Sequence, residues 1–237
     1  MRLEELSPEV VAIIVDIEGT VSDAGFTRDV LIPYAESHLG PWIERHAERP
    51  DVAEALEALA QAAGEPEVDV PRLIELAEFG LVERDSGPVA ALCHLLWRDA
   101  YQAFELTGHV YDDAVAALQA WTDDHRALFT YSAAPSEAQR LLLAYSEFGD
   151  ISGLFSGFFD RRIGAKKNAD SYTAIAQALG ENPGSLLFIS DTRGELDAAK
   201  QAGLQTCWIA RDEETQEKAA SQDAHQNVAS FSEIELL

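Results

Sequence analysis

The sequence predicts an α/β fold: a parallel, doubly wound sheet with an inserted all-helical cap. Three observations predict it. The apolar run from Val11 to Val15 ends in Asp16, as a strand buried on both faces does. From Tyr111 onward, short apolar runs alternate with helical patterns, the signature of strands joined by crossover helices. Between these regions, from about 24 to 109, helical patterns recur without a convincing strand.

The opening strand delivers Asp16, Glu18, Gly19 and Thr20 at its carboxyl end, where open α/β sheets place their ligands. Val30, Leu31, Tyr34 and Ala35 follow at helical spacing, as do Val52, Leu56, Leu59, Ala60 and Ala63. Gly64-Glu-Pro66 and Ser86-Gly-Pro88 break these helices. The pattern divides the chain into a core of residues 1–22 and 110–237 and a helical cap of residues 23–109. A cap above the carboxyl ends of the strands can exclude water and select substrates. In the second half, Asp112 to Trp121 reads as a helix and Ala127 to Tyr131 as a strand. Pro135 stands where a first helical turn tolerates proline. Ala138, Leu141, Leu142 and Tyr145 form one helical face. Tyr172, Ile175, Ala176 and Leu179 form another, ahead of the strand from Leu186 to Ile189. A further helix leads to the strand from Gln205 to Ile209, and Asp212 to Gln226 reads as a terminal helix or a mobile segment.

Seventeen Lys and Arg against 42 Asp and Glu give a net charge of -25, which argues against nucleic acid or an anionic membrane as partner. Such a surface is well solvated and suited to high salt. No apolar run reaches membrane-spanning length, and the start, Met1 to Leu6, lacks the apolar core of a secretory signal, so a cytoplasmic location is expected. Cys93 and Cys207 sit alone in apolar patterns and are expected to be buried thiols. His94, His109 and His125 lack metal-ligand spacing, so packing or surface roles are expected. The glycine-rich and nucleophile-elbow motifs of dinucleotide, nucleoside triphosphate and serine-hydrolase sites are absent.

The polar residues at the strand ends carry one coherent chemistry. Asp16 and Asp191 can hold a hard divalent cation, most plausibly magnesium, whose shell is completed by water and a phosphate oxygen. Asp16 can attack phosphorus, with Lys166 neutralising the transferring group and Ser132 donating a hydrogen bond. Glu18 is placed to protonate the leaving oxygen and then deprotonate water. Glu195 stands one helical turn beyond Asp191.

These residues resemble the haloacid dehalogenase-like superfamily, whose first motif, Asp-x-Asp-x-Thr, here reads Asp16-Ile-Glu18-Gly-Thr20. Glu18 points to its enolase-phosphatase (acireductone synthase) branch. The similarity runs from about Val10 to Arg211. It includes Asp29-Val-Leu-Ile-Pro-Tyr34, Tyr145-Ser-Glu-Phe-Gly-Asp150, Leu154-Phe-Ser-Gly-Phe-Phe-Asp160, Gly164-Ala-Lys166 and Glu195-Leu-Asp-Ala-Ala199. The resemblance implies a Rossmann-like core, magnesium held at Asp16, Glu18 and Asp191, and substrate contacted at Ser132, Ala133 and Lys166. It further implies enolisation and then dephosphorylation of 2,3-diketo-5-methylthiopentyl-1-phosphate in methionine salvage, by a cytoplasmic enzyme expected to be a monomer. The family's Ser-Ser-Gly-Ser loop is here Ser132-Ala133-Ala134-Pro135, and its cap lysine and glutamine are Ala90 and Cys93. A phosphatase for another small phosphomonoester, or a non-catalytic binding paralogue, are the alternatives.

Overall fold

The structure is a computed structural model that describes residues 10–83, 87–221 and 224–236. The expectations for Met1 to Leu6 and for Ser86 lie outside the described residues. The chain divides into two compact units, Met1–Ala24 with Thr107–Leu237, and Gly25–Leu106.

In the first unit, β1 (Ala12–Val15) is buried along its whole length. Val11 is exposed and lies just before the strand, its amide donating to the Ser185 carbonyl.

The second unit is helical. A π-helical turn, Thr27–Leu31, runs into α1 (Ile32–His46). Next come α2 (Pro50–Ala63), α3 (Val70–Val82) and α4 (Pro88–Gln102). Pro50 and Pro88 open their helices at the first position, where no amide is needed. Gly64 closes α2 at φ +73°, its amide donating to the Ala60 and Gln61 carbonyls. Leu39, Ile43, Val52, Leu56, Leu92 and Cys93 belong to one apolar core. Val30 and Ala63, expected on inward faces, are exposed.

The remainder of the first unit alternates: α5 (Asp112–Asp123), β2 (Ala127–Tyr131), α6 (Ser136–Ala144), β3 (Gly157–Phe159), α7 (Ala169–Leu179) and β4 (Leu186–Ser190). It continues through α8 (Arg193–Gln201), β5 (Gln205–Ile209), α9 (Glu213–Ala220) and β6 (Gln226–Val228). All strand pairs are parallel, in the order β3-β2-β1-β4-β5-β6. Parallel neighbours need crossovers, which the helices supply. Successive strands add outward on both sides of β1, so the topological switch lies between β1 and β4. Val15 is level with Thr130 of β2 and Ile189 of β4, which brings Asp16, Tyr131 and Ser190 to neighbouring strand ends.

Three details differ from the sequence reading. The edge strands β3 and β6, three residues each, have too few residues for either periodicity to register. Pro135 precedes α6 as its N-cap instead of lying in the first turn. The buried face of α6 is Gln139, Leu142 and Leu143; of the expected face, Leu142 is buried while Ala138, Leu141 and Tyr145 are half-buried. Gln139 tolerates burial because its amide is fully used: Oε1 accepts from Thr130 Oγ1 at 2.5 Å, and Nε2 donates to the Ala134 and Phe159 carbonyls at 2.8 Å. The stretch from Asp212 to Gln226 holds α9 and the first residue of β6. Residues 222 and 223 of it lie outside the described part.

Candidate active site

The turn after β1 is closed by one carbonyl, that of Ile17, which accepts from the amides of Thr20, Val21 and Ser22. Gly19 lies within it at φ +78°, and a Cβ there would fall 2.0 Å from Asp191 Oδ2. Only glycine lets the Asp191 carboxylate lie against this turn. The Asp191 amide donates to Thr20 Oγ1 at 3.0 Å, so the ends of β1 and β4 are tied together.

Asp16 is buried and its two oxygens differ. Oδ1 receives the Ile17 amide at 2.8 Å and Lys166 Nζ at 2.6 Å. Oδ2 has only a long contact, 3.4 Å, from Ser190 Oγ. Lys166 Nζ also meets Glu195 Oε2 at 2.7 Å, and Ser190 Oγ donates to the same oxygen at 3.1 Å. Burial opposes the Lys166 charge, but Asp16 and Glu195 outweigh it and hold the ammonium above its ordinary range. Burial, then the Asp16 charge, pushes the Glu195 carboxyl up, with Lys166 opposing. Sequence reasoning noted Glu195 without a role and missed Ser190, whose position beside Asp191 was its only signal.

Lys166 is presented by a clamped loop. Three successive carbonyls, of Gly164, Ala165 and Lys166, accept from Tyr131 OH at 3.0 Å, Ser171 Oγ at 2.9 Å and Tyr172 OH at 2.7 Å. Tyr131, Tyr172 and Phe188 pack beneath it, with ring centroids 5.0 to 6.5 Å apart. Sequence reasoning placed Tyr172 on a core face, and its hydroxyl aims at the site.

Burial, then the neighbouring Asp16 charge, pushes the Asp191 carboxyl up to about 6. Two crowded carboxylates are a donor set suited to a hard cation, which characteristically takes one or two carboxylates, water and substrate phosphate. Glu18 does not join them as a third carboxylate. Its side chain is exposed because the strand ends at Val15 and the following turn breaks the alternation. Among the described residues, no group of three or more His, Cys, Asp or Glu side chains gathers closely enough to hold a metal ion. The Asp16 and Asp191 carboxylates are thus a donor set that suits a hard divalent cation such as magnesium.

Ser132 is buried at the end of β2, and its Oγ accepts from the Ala134 amide at 3.2 Å. Ala133 is exposed and lines two cavities of about 490 and 480 Å³, both shared with Arg161. Lys166 and Glu195 line the first. The histidines stand apart: His94 packs against Trp97, His109 Nδ1 accepts from the Asp23 amide, and His125 follows α5 at φ +62°. Cys93 and Cys207 are free and buried, which pushes both thiols up to about 12.

A parallel sheet with an aspartate pair at its switch point and a lysine on the nucleophile candidate defines a class. The haloacid dehalogenase-like hydrolase family matches residues 10–203, and the chain belongs to that family. Within it, the chain is 45% identical over 224 residues to the Enolase-phosphatase E1 of Pseudomonas fluorescens (strain Pf0-1), covering 94% of this chain and 96% of that protein. It is 43% identical over 226 residues to the Enolase-phosphatase E1 of Pectobacterium carotovorum subsp. carotovorum (strain PC1), covering 95% and 96%. These similarities mark the enolase-phosphatase branch and an enzyme of the phosphatase class. The UTR4 protein of Saccharomyces cerevisiae has the same fold, with TM-score 0.77, 24% identity, and 94% and 99% of the two chains covered. The L-2-haloacid dehalogenase of Xanthobacter autotrophicus shares the fold more distantly, with TM-score 0.56 and 18% identity over 94% of this chain and 95% of that one. No helix among the described residues is long and apolar enough to cross a membrane.

Proposed function

We propose that the chain is a magnesium-dependent, bifunctional enolase-phosphatase of methionine salvage. In this reading it converts 2,3-diketo-5-methylthiopentyl-1-phosphate to the acireductone 1,2-dihydroxy-3-keto-5-methylthiopentene and inorganic phosphate. The observation that carries the phosphatase chemistry is the asymmetry of Asp16: Lys166 and the Ile17 amide occupy Oδ1, leaving Oδ2 with lone pairs to spare.

Asp16 Oδ2 attacks phosphorus, and the bond from phosphorus to the ester oxygen breaks. Glu18, exposed beside the site, gives its proton to the departing oxygen. Water then attacks the aspartyl phosphate as Glu18 takes its proton back, releasing inorganic phosphate and restoring Asp16. Lys166 keeps its proton throughout, orients Asp16 and balances charge on the phosphoryl oxygens. Glu195 and Ser190 hold Lys166 in register. A divalent cation held by Asp16, Asp191 and the Glu18 turn would supply neutralisation of the phosphate and polarisation of the dione during enolisation. Similarity to the Enolase-phosphatase E1 proteins supports this substrate.

One observation favours a second reading, a phosphatase for another small phosphomonoester. Ser132 Oγ keeps its own proton to donate, but the next residue, Ala133, brings no hydroxyl to the cavities it lines.

The test gives purified protein the diketo phosphate with magnesium, following phosphate release and the ultraviolet absorbance of the enol separately. Both signals are expected. Phosphate without enol supports the second reading, and no turnover of this or a panel of phosphomonoesters overturns both. Asp16→Asn is expected to abolish phosphate release while leaving the fold intact, and retained activity would refute the nucleophile.

A further inference from the structure

The loop after β5 sends a cation back to the turn that carries Glu18. Arg211 follows the end of β5, and its Nε donates to the Thr20 carbonyl at 2.9 Å. Thr20 is fully buried and held from two sides, because its Oγ1 also accepts the Asp191 amide at 3.0 Å. The next carbonyl, that of Val21, accepts from the Tyr111 amide at 2.9 Å. Hydrogen bonds to the Ile17 carbonyl and between Gly19 and Ser22 shape the turn from within. Arg211, Asp191 and Tyr111 fix where it lies against the sheet.

The guanidinium is itself firmly mounted. Nη1 lies 3.2 Å from both oxygens of Asp113, on the first turn of α5. Asp113 Oδ2 also accepts Ser230 Oγ at 2.7 Å and the Phe231 amide at 2.8 Å. The guanidinium carbon sits 3.7 Å from the centroid of the Tyr111 ring and 5.4 Å from that of Phe231. A planar fork that pairs with a carboxylate and stacks on a ring has little freedom left, and a lysine could not reproduce it. Arg211 thus carries the positions of α5 and of the Ser230–Phe231 segment to the Thr20 carbonyl, all within the first unit.

We infer that Arg211 is a positioning residue for the reaction, holding the Glu18 turn, through the Thr20 carbonyl, where Glu18 can reach the leaving oxygen. The inference rests on the phosphatase reading above, with Glu18 as its acid. The partners of Arg211 are Thr20, Asp113 and two rings, so it acts through the turn and not on the reacting atoms. Proton transfer needs hydrogen-bond reach, and a general acid displaced by about 1 Å loses much of its effect.

The test compares two phosphomonoesters with magnesium present. Butyl phosphate loses an alkoxide, which needs the proton from Glu18, whereas p-nitrophenyl phosphate loses a phenolate that departs without one. The ratio kcat/KM reports the steps up to that departure and is blind to later hydrolysis of the aspartyl phosphate. Arg211→Met is expected to lower kcat/KM roughly 10- to 100-fold on butyl phosphate and less than about 3-fold on p-nitrophenyl phosphate. Arg126→Met is the control for lost stability, since Arg126 pairs with Asp124 and donates to the Val10 carbonyl, at the opposite end of β1 from Glu18. It should change neither value by more than about 2-fold. As a second readout, Arg211→Ala assayed on the diketo phosphate should regain at least about 3-fold in kcat with millimolar guanidinium, too dilute to denature, and nothing with urea. Equal losses on both esters, no loss, or the same pattern in Arg126→Met overturns the inference and leaves the phosphatase reading intact. Where only the diketo phosphate is turned over, absence of rescue overturns it. Wild type that hydrolyses no phosphomonoester overturns the phosphatase reading and the inference with it.

Discussion

Asp191 shows how much of the site is electrostatic crowding. It is largely buried beside Asp16, faces a turn that only Gly19 can make, and has its carboxyl pushed up to about 6. Folding without a counter-cation therefore encloses two like charges near each other, and Lys166 is committed to only one of them. Asp191→Asn is expected to stabilise the metal-free protein at neutral pH by about 1–3 kcal/mol. The proposed magnesium site predicts that added magnesium protects the wild type and not this variant. Urea melts with and without magnesium check this, and a variant less stable than metal-free wild type would refute it. Asp160 carries the opposite sign. The Arg162 guanidinium, aided by the amides of Arg162 and Ser136, holds its carboxyl down at about 2. A depressed folded value means stability that is present above the unfolded value, about 3.9, and lost as pH falls toward 2. Because Arg162 is largely exposed, the contribution is discounted to about 1–2 kcal/mol at neutral pH. Asp160→Asn should cost that amount at pH 7 and progressively less between pH 4 and 2, read from denaturant melts across the range.

At the scale of elements, the loop before α7 is the part most closely held to function. Tyr131 from β2 and Ser171 and Tyr172 from α7 grip three consecutive carbonyls, so the Lys166 side chain leaves a backbone fixed from two elements. Gly164, at φ +143°, accepts a conformation and a Ser171 contact that a side chain would forbid. Tyr172→Phe removes one donor while keeping the ring that packs on Phe188. It should cost about 1 kcal/mol of stability and roughly 3- to 10-fold in kcat/KM, through a looser Lys166. A melting curve and steady-state kinetics check this, and a variant with unchanged kcat/KM would show that the hydroxyl does not position the lysine. Periodicity made Tyr172 legible as a core residue and made α7, β4 and β5 legible as elements. It could not reveal α6's true face, because burial of Gln139 depends on three partners from other segments.

At the scale of the molecule, a net charge of -25 sets a self-repulsion that dilute buffer does little to relieve. Many acids have partners, as in the Arg49–Asp51–Arg98–Asp99 network of the helical unit, yet bases are too few to pair them all. Screening shortens to about 3 Å in molar salt, so stability should rise between 0.05 and 1 M potassium chloride. Thermal melts along that series check it, and a melting temperature indifferent to salt would refute it.

The amino-acid order by itself determined the parallel α/β class, and it singled out Asp16, Lys166 and Asp191 as candidates at strand ends and in one loop. Buried strands, crossover helices and strand-end acids leave local, periodic marks. Tertiary structure alone decided which oxygen of Asp16 stays open, that Glu18 is exposed, and that Glu195 with Ser190 shares Lys166 with Asp16. Those outcomes depend on pairings between residues up to 174 positions apart, made by sheet register and turn geometry that no local spacing encodes.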